Sequence, residues 1–296
     1  MKALVICGPT ASGKTSLAVD CALALGTEII SADSMLVYKG LDIGTAKPTA
    51  EERKGVRHHL IDVAEPTEKF SVSDYEALAL PVVQGLFARG KIPVICGGPG
   101  FYICALLYKS QFGNAGANEN VRQKYEAYLA RNGREALHAL LGEKDPESAA
   151  VLHPNDTKRV IRALEIFDVT GKRKSEQRDP RLPRFDFVVV SVGYPREELY
   201  ARIDRRVDEM LNAGLVEEVK ALLRSVPETA QCMQGIGYKE VAEGLRAGAS
   251  REEIAEQIKK NTRNYAKRQI TFFKRMNPFV LPPEEATAER VLQFLK

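Results

Sequence analysis

Residues 3–15, with the sequence ALVICGPTASGKT, decide the fold. The apolar run at 3–7 predicts a buried strand, and residues 8–15 match the phosphate-binding pattern G-x-x-x-x-G-K-[ST]. Apolar side chains at four-residue spacing follow from Leu17 onward and predict a helix. A glycine-rich loop of this pattern between a strand and a helix is a P-loop. Its backbone N–H groups and helix N-terminus can hold linked phosphates.

Further short apolar runs alternate with helical patterns in the first third of the chain, which predicts a parallel α/β sheet flanked by helices. The runs lie at residues 28–31, 58–63 and 92–96. Beyond residue 121 the pattern is helical only, until a strand-like run returns at 185–192. We therefore expect a P-loop core made of residues 1–110 and 185–296, interrupted by an all-helical insertion at 111–184.

Composition restricts the class of protein. The 296 residues are 44% hydrophobic and 28% charged with a net charge of +4, which is typical of a folded globular chain. Five cysteines, an odd number without a C-x-x-C pair, indicate reduced thiols rather than disulfides or a zinc site. No apolar stretch approaches the roughly 20 residues of a membrane span, and no signal peptide pattern opens the chain. The cytoplasm is the predicted location.

The P-loop predicts the chemistry of its ligand but not the reaction. Lys14 supplies a movable positive charge, and the Thr15 hydroxyl is a suitable ligand for Mg²⁺. A kinase that uses ATP and an enzyme that expels diphosphate need the same phosphate-binding loop, because in both reactions negative charge develops on a bridging oxygen of the substrate. Both classes stay open at this point. The predicted diphosphate ligands are Gly8, Pro9, Thr10, Ala11, Ser12, Gly13, Lys14 and Thr15.

Two acids follow predicted strands. Asp33 comes after the run at 28–31, and in a parallel sheet the carboxyl ends of the strands face the ligand crevice. It could act as a general base, hold a metal or cap a turn. Asp62 could hold a metal or serve the structure alone. The fourth run ends in Gly97-Gly98-Pro99-Gly100 without an acid, which counts against a kinase.

Basic residues are concentrated in two helical segments. Lys158, Arg159 and Arg162 lie in the insertion, and the last long helix carries a run of lysines and arginines from 259 to 275. Such runs are either solvated helix faces or tracks for nucleic acid. Arg202 and Arg206 share a helix face, where they could pair with nearby acids or reach a diphosphate.

Seven segments together resemble the tRNA dimethylallyltransferases, also called tRNA isopentenyltransferases, and the resemblance covers nearly the whole chain. The segments are residues 8–15, 31–34, 37–48, 58–62, 155–165, 235–238 and 263–269. The resemblance implies transfer of a dimethylallyl group from its diphosphate to N6 of the adenosine immediately 3′ of a tRNA anticodon.

The same resemblance implies roles for individual residues. Residues 10–15 would hold the diphosphate, and Lys14 and Arg206 would stabilise its departing charge. Thr15 would help to hold Mg²⁺, and Asp33 would accept the proton of the amine. Because an adenine amine is a poor nucleophile, we expect the residues that bind the leaving diphosphate, rather than a strong base, to lower the activation barrier most.

The resemblance further implies that the insertion grips the anticodon stem-loop and that the target base is extruded into a tunnel. The chain is expected to act as a monomer. Pro99 and the pair Met35-Leu36 depart from the family pattern, which usually has Gly-Gly-Thr-Gly and Arg-Gln there. The implied tRNA contacts are Asp33, Ser34, Met35, Leu36, Pro99, Arg122, Lys158, Arg159, Val160, Ile161, Arg162, Gln234, Gly235, Ile236, Gly237, Tyr238 and Lys239.

Overall fold

A computed structural model describes residues 2–109, 118–176 and 182–296. Within these ranges six parallel strands form one sheet in the order β3-β2-β4-β1-β5-β6. The predicted α/β class is confirmed. The strands are β1 Ala3–Cys7, β2 Ile29–Ala32, β3 His58–His59, β4 Val94–Gly97, β5 Phe187–Val192 and β6 Phe279–Leu281.

Helices flank this sheet and follow its strands along the chain. In the sheet-containing part they are α1 Lys14–Leu25, α2 Ala50–Arg53, α3 Val72–Ala88, α4 Gly100–Leu107, α8 Arg196–Asn212, α9 Leu215–Leu222, α10 Tyr238–Ala247, α11 Arg251–Lys274 and α12 Ala288–Leu292. In the remaining part they are α5 Glu119–Lys144, α6 Pro146–Val151 and α7 Thr157–Thr170. Among the described residues, no helix combines the length and apolarity needed to cross a membrane.

Strand β1 lies in the middle of the sheet, and every residue in it is buried. Val5 pairs with Ile95 of β4 on one side and with Val189 of β5 on the other. Leu4 and Ile6 pack into an apolar cluster with α1 and α12, and the alternate residues of β1 are buried on the other face. Both faces of the sheet are therefore covered, as a parallel sheet requires.

The chain divides into two compact units, Met1–Leu107 with Pro183–Lys296, and Tyr108–Leu182. The first contains the sheet. The second contains α5, α6 and α7, whose apolar core includes Tyr125, Leu141 and Leu164. Gly133 interrupts α5 with a non-helical backbone at φ 79° and ψ 172°. The predicted start of the insertion, at residue 111, lies outside the described residues.

The sheet differs from the prediction in two details. The third strand ends at His59 rather than at residue 63, because Leu60 and Asp62 adopt left-handed backbone angles, φ 65° and 57°, that no strand can contain. The edge strand β6 was not predicted. It has three residues, too few to set up an alternating pattern.

Candidate active site

The P-loop connects β1 to α1 and is prepared for an anion. Gly13 has left-handed angles immediately before the helix, and no described side chain caps the helix N-terminus, whose first turn carries no acid. The first-turn N–H groups are therefore left to a ligand. Ser12 is buried with its hydroxyl unpartnered among the described residues.

Two side chains from distant helices hold the loop in shape. The buried Gln269 of α11 accepts a hydrogen bond from the Thr10 N–H at 3.0 Å. Arg202 of α8 donates from Nε to the Ala11 carbonyl at 2.8 Å, and its guanidinium lies 4.6 Å from the Tyr194 ring centroid. Ala11 has φ 62°, a conformation that costs free energy for a residue with a side chain. These contacts offset that cost and fix the loop.

A cavity of about 390 Å³ opens beside the loop, and every residue that lines it belongs to the sheet-containing unit. It lies at the carboxyl ends of β1, β2 and β4, where ligands of parallel sheets bind. Lys14, Thr15, Asp33 and Arg206 all line it. The structure thus brings together the side chains predicted to be catalytic.

The cavity has an excess of positive charge. Burial lowers the pKa of Lys14, and nearby Arg206 lowers it further, against the raising effects of Cys96 and Asp33. Burial also lowers the pKa of Arg206, with Glu52 and Glu209 acting in the opposite direction. Both shifts mean that burial disfavours the charged forms of these two side chains. A bound anion would restore the balance, so the electrostatics favour a negatively charged ligand between Lys14 and Arg206.

Asp33 both caps a turn and faces the cavity. Its Oδ1 accepts hydrogen bonds from the N–H groups of Met35 at 2.8 Å and Leu36 at 3.3 Å. Oδ2 has no hydrogen-bond partner within the described ranges. The cap fixes the carboxylate through one oxygen and leaves the other to accept a proton from a ligand.

Glu218 of α9 organises one wall of the cavity. Its carboxylate accepts hydrogen bonds from the N–H groups of Asp42, Ile43 and Gly44 at 3.1, 2.8 and 3.2 Å, and from the Tyr238 hydroxyl at 2.5 Å. A Cβ at position 44 would lie 2.5 Å from the Tyr238 ring, so only glycine fits there. Gly44 and Tyr238 line the cavity, and Glu218 therefore fixes its wall without touching the ligand space.

We expect Glu218→Ala to raise the KM of the small-molecule substrate about tenfold, because a charge-assisted acceptor shared by four donors is lost. The turnover number should fall less, since the cationic groups stay in place. Steady-state kinetics with a thermal-unfolding check would measure this. Glu217→Ala, an exposed neighbour on the same helix, is the matched control. An unchanged KM in Glu218→Ala would exclude the positioning role.

The residues predicted to contact tRNA fall into two groups. In the sheet-containing unit, residues 33–36 and 234–238 line the cavity. Lys239 is exposed, and its Nζ lies 3.7 Å from Oε1 of Glu243. Pro99 is partly buried and does not line the cavity. These positions stay predictions with respect to RNA.

In the helical unit the predicted contact residues differ in burial. Val160 and Ile161 are buried in its apolar core, and as RNA contacts they stay predictions. Arg122 and Arg162 each pair with the buried Glu165, at 2.9 and 2.7 Å. Burial raises the pKa of Glu165, but hydrogen bonds from Arg162, the Asn118 N–H and Arg122 outweigh it and lower the pKa overall. Lys158 and Arg159 are exposed.

The acids near Arg202 have other partners. Asp204 binds Arg263 at 2.6 Å, and Asp208 binds Lys259 at 2.8 Å, so neither neutralises Arg202 or Arg206. Asp62 pairs with Lys47 and does not line the cavity, which favours the structural alternative.

Sequence reasoning missed Gln269 and Glu218. Gln269 closes the segment 263–269 that carries part of the family resemblance, and this was a usable signal. Glu218 is one of many glutamates on helices, and nothing in its neighbourhood marks it. Both act on segments far away in the chain.

A parallel sheet with a P-loop after its central strand, and a cationic cavity at the strand ends, define an α/β protein built to bind an anionic ligand. Comparison with known proteins gives the family. Residues 36–276 match the family model described as IPP transferase. The chain belongs to the IPP transferase family and is a transferase.

Relatives and solved structures agree with this assignment. A tRNA dimethylallyltransferase of Geobacillus kaustophilus is 46% identical over 94% of this chain and 89% of its own length. One from Acetivibrio thermocellus is 43% identical over 99% and 96%. A tRNA isopentenylpyrophosphate transferase structure from Bacillus halodurans has a TM-score of 0.74 at 41% identity, covering 99% of this chain and 94% of that one. The structure of a eukaryotic dimethylallyltransferase that acts on tRNA has a TM-score of 0.82 at 30% identity, covering 97% of this chain and 74% of that one.

Proposed function

We propose that this chain transfers the dimethylallyl group from dimethylallyl diphosphate to N6 of the adenosine immediately 3′ of a tRNA anticodon and releases diphosphate. The observation that carries the proposal is the placement of Lys14, Arg206 and Asp33 in one cavity. Two cations suit a departing diphosphate, and one carboxylate suits the proton of an amine. The names of the relatives support tRNA as the acceptor.

The geometry supports a direct displacement at carbon. The adenine amine forms a bond to the first carbon of the dimethylallyl group, and the bond from that carbon to the bridging oxygen breaks. The electron pair goes to the diphosphate, where Lys14, Arg206 and the P-loop N–H groups stabilise it. The amine proton goes to the free oxygen of Asp33. Oriented binding of both reactants supplies much of the remaining acceleration.

Mg²⁺ is part of the proposal. Among the described residues, no cluster of three or more His, Cys, Asp or Glu side chains could cage a metal ion. Mg²⁺ is commonly held by one or two protein oxygens together with substrate phosphates and water, and the Thr15 hydroxyl in the cavity fits that arrangement. When bound, the ion would neutralise charge on the diphosphate.

Three further parts of the proposal concern context. We propose that the exposed Lys158 and Arg159 contact phosphates of the anticodon stem, which would make RNA affinity depend on salt. We also propose that the chain acts as a monomer. Its substrate tRNA and its reduced cysteines support the cytoplasm as its location.

The proposal is tested by incubating the protein with unmodified tRNA, dimethylallyl diphosphate labelled in the prenyl group, and Mg²⁺. We expect labelled RNA, with no label when the target adenosine is replaced by guanosine. Absence of label with any tRNA would contradict the proposal. The P-loop kinase alternative is not favoured by the comparisons; it predicts hydrolysis or transfer from ATP without RNA.

We expect Asp33→Asn to lower transfer about 100-fold, the lower end of the effect of a general base. The amide oxygen can still accept the hydrogen bonds from residues 35 and 36, so the turn is kept while the proton acceptor is lost. Single-turnover transfer and RNA binding would be measured side by side. A non-catalytic RNA-binding protein predicts no change in any readout, and that result would sink the assignment of Asp33.

A further inference from the structure

Helix α11 contains two classes of basic residue that the sequence does not distinguish. Lys259 and Arg263 pair with Asp208 and Asp204 of α8. Four exposed cations further along the chain, the last of them one residue past the end of the helix, have no acidic partner within the described part of the chain. They are Lys267, Arg268, Lys274 and Arg275. Lys260 is also exposed without an acidic partner in the described residues, but most of the cations able to attract a polyanion lie between residues 267 and 275.

One face of α11 lines the cavity and continues beyond it toward an exposed aromatic ring. Thr262, Tyr265 and Gln269 line the cavity at helical spacing, and Phe272 continues that face by one turn. The Phe272 ring lies against the backbone of Gly100, where a Cβ would come within 2.0 Å of it. Position 100 therefore has to be glycine for the ring to fit.

Phe101, the next residue, packs edge-on against Phe272 with ring centroids 5.4 Å apart. Its side chain is nevertheless 66% exposed, more than any other phenylalanine within the described ranges. Phe272, on which this ring packs, lies one turn from Arg268, an exposed cation without an acidic partner in the described residues. Aromatic rings and cations together bind single-stranded nucleic acid, because bases stack on the rings while cations hold the phosphates. An apolar protein partner would gain nothing from the cation.

We propose that Phe101 stacks on a nucleobase of the single-stranded RNA loop that carries the acceptor adenosine, next to the base that enters the cavity. Arg268, one turn before Phe272 on α11, holds an adjoining phosphate. This inference rests on the proposed function, and it adds a stacking site on α4 that orients the loop at the cavity rim. Its physical basis is the fixed position of Phe101 on Phe272, which orders the ring before RNA binds.

The test measures binding and transfer separately, using an unmodified anticodon stem-loop RNA. We expect Phe101→Ala to raise the Kd for this RNA about tenfold without the prenyl donor, as loss of one base–aromatic stack does. The KM for RNA should rise equally, whereas the KM for dimethylallyl diphosphate stays unchanged. Phe101→Tyr should restore binding and Phe101→Leu should not, because bulk without an aromatic face cannot stack.

Phe279→Ala is the matched control, since Phe279 is 51% exposed and stacks on Phe294 at the edge strand β6. It should bind RNA like the wild type. Equal RNA affinity in Phe101→Ala and wild type, or full rescue by leucine, would overturn the stacking site. If the wild type binds this RNA but transfers nothing, the proposed function fails while the binding series still decides the role of Phe101.

Discussion

Lys14→Ala is expected to lower the rate of prenyl transfer by about two to three orders of magnitude, as the loss of one preorganised charge donor does. Lys14 lines the cavity next to Thr15, and burial lowers the pKa of its ammonium group. A diphosphate would reverse that effect, and its charge grows as the carbon–oxygen bond breaks. The interaction is therefore stronger in the transition state than in the bound substrate.

The expected signature is a large fall in turnover number with a smaller rise in the KM of the donor. Lys54→Ala is the matched control, because Lys54 pairs with Asp20 at the surface and does not line the cavity. Near-normal transfer by Lys14→Ala, with the protein folded, would contradict the role of the P-loop as the site of the leaving group.

Arg206→Ala is expected to cost a similar factor, about two to three orders of magnitude. Its guanidinium is the second partly buried cation of the cavity and is held on α8, an element separate from the P-loop. Two cations on different elements can contact different oxygens of one diphosphate, so neither replaces the other. Transfer rates at saturating donor and RNA would measure the loss.

Arg205→Ala is the control, because Arg205 is exposed on the same helix. Arg206→Lys should recover only part of the activity, since a lysine lacks the planar fork that fits phosphate oxygens. If Arg206→Ala and Arg205→Ala transferred at the same rate, Arg206 would have no part in the reaction.

The features that the sequence predicts well are local ones. Strand β1, the P-loop and α1 occupy one continuous stretch whose apolar spacing and glycines are visible directly. Lys14 and Thr15 belong to it. Asp33 is also predictable from the local sequence, because it follows a short apolar run that is typical of a strand in a parallel sheet. The assignment of Arg206 depended on the family resemblance, since nothing local separates it from Arg202, which shares its helix face.

What the sequence could not predict involves distant contacts. Gln269 and Thr10 are 259 positions apart, and Glu218 acts on residues more than 170 positions earlier. The family resemblance implied RNA contacts at Val160 and Ile161, and the sequence did not predict that their side chains are buried in the core of the helical unit. In the same way, the pairing of Lys259 and Arg263 with acids of α8 is decided by packing. The charge run alone overestimated the surface available to RNA.

The central claim is that the P-loop holds a leaving group, so that carbon rather than phosphorus is attacked. Dimethylallyl diphosphate carrying a heavy oxygen isotope in the bridge between carbon and phosphorus tests it directly. After reaction with unmodified tRNA, mass spectrometry would locate the label. We predict that the released diphosphate keeps all of the heavy oxygen and that the modified adenosine contains the prenyl group without it. Two results would contradict the account: heavy oxygen in released dimethylallyl alcohol with diphosphate on the acceptor, or heavy oxygen in released dimethylallyl phosphate with phosphate on the acceptor.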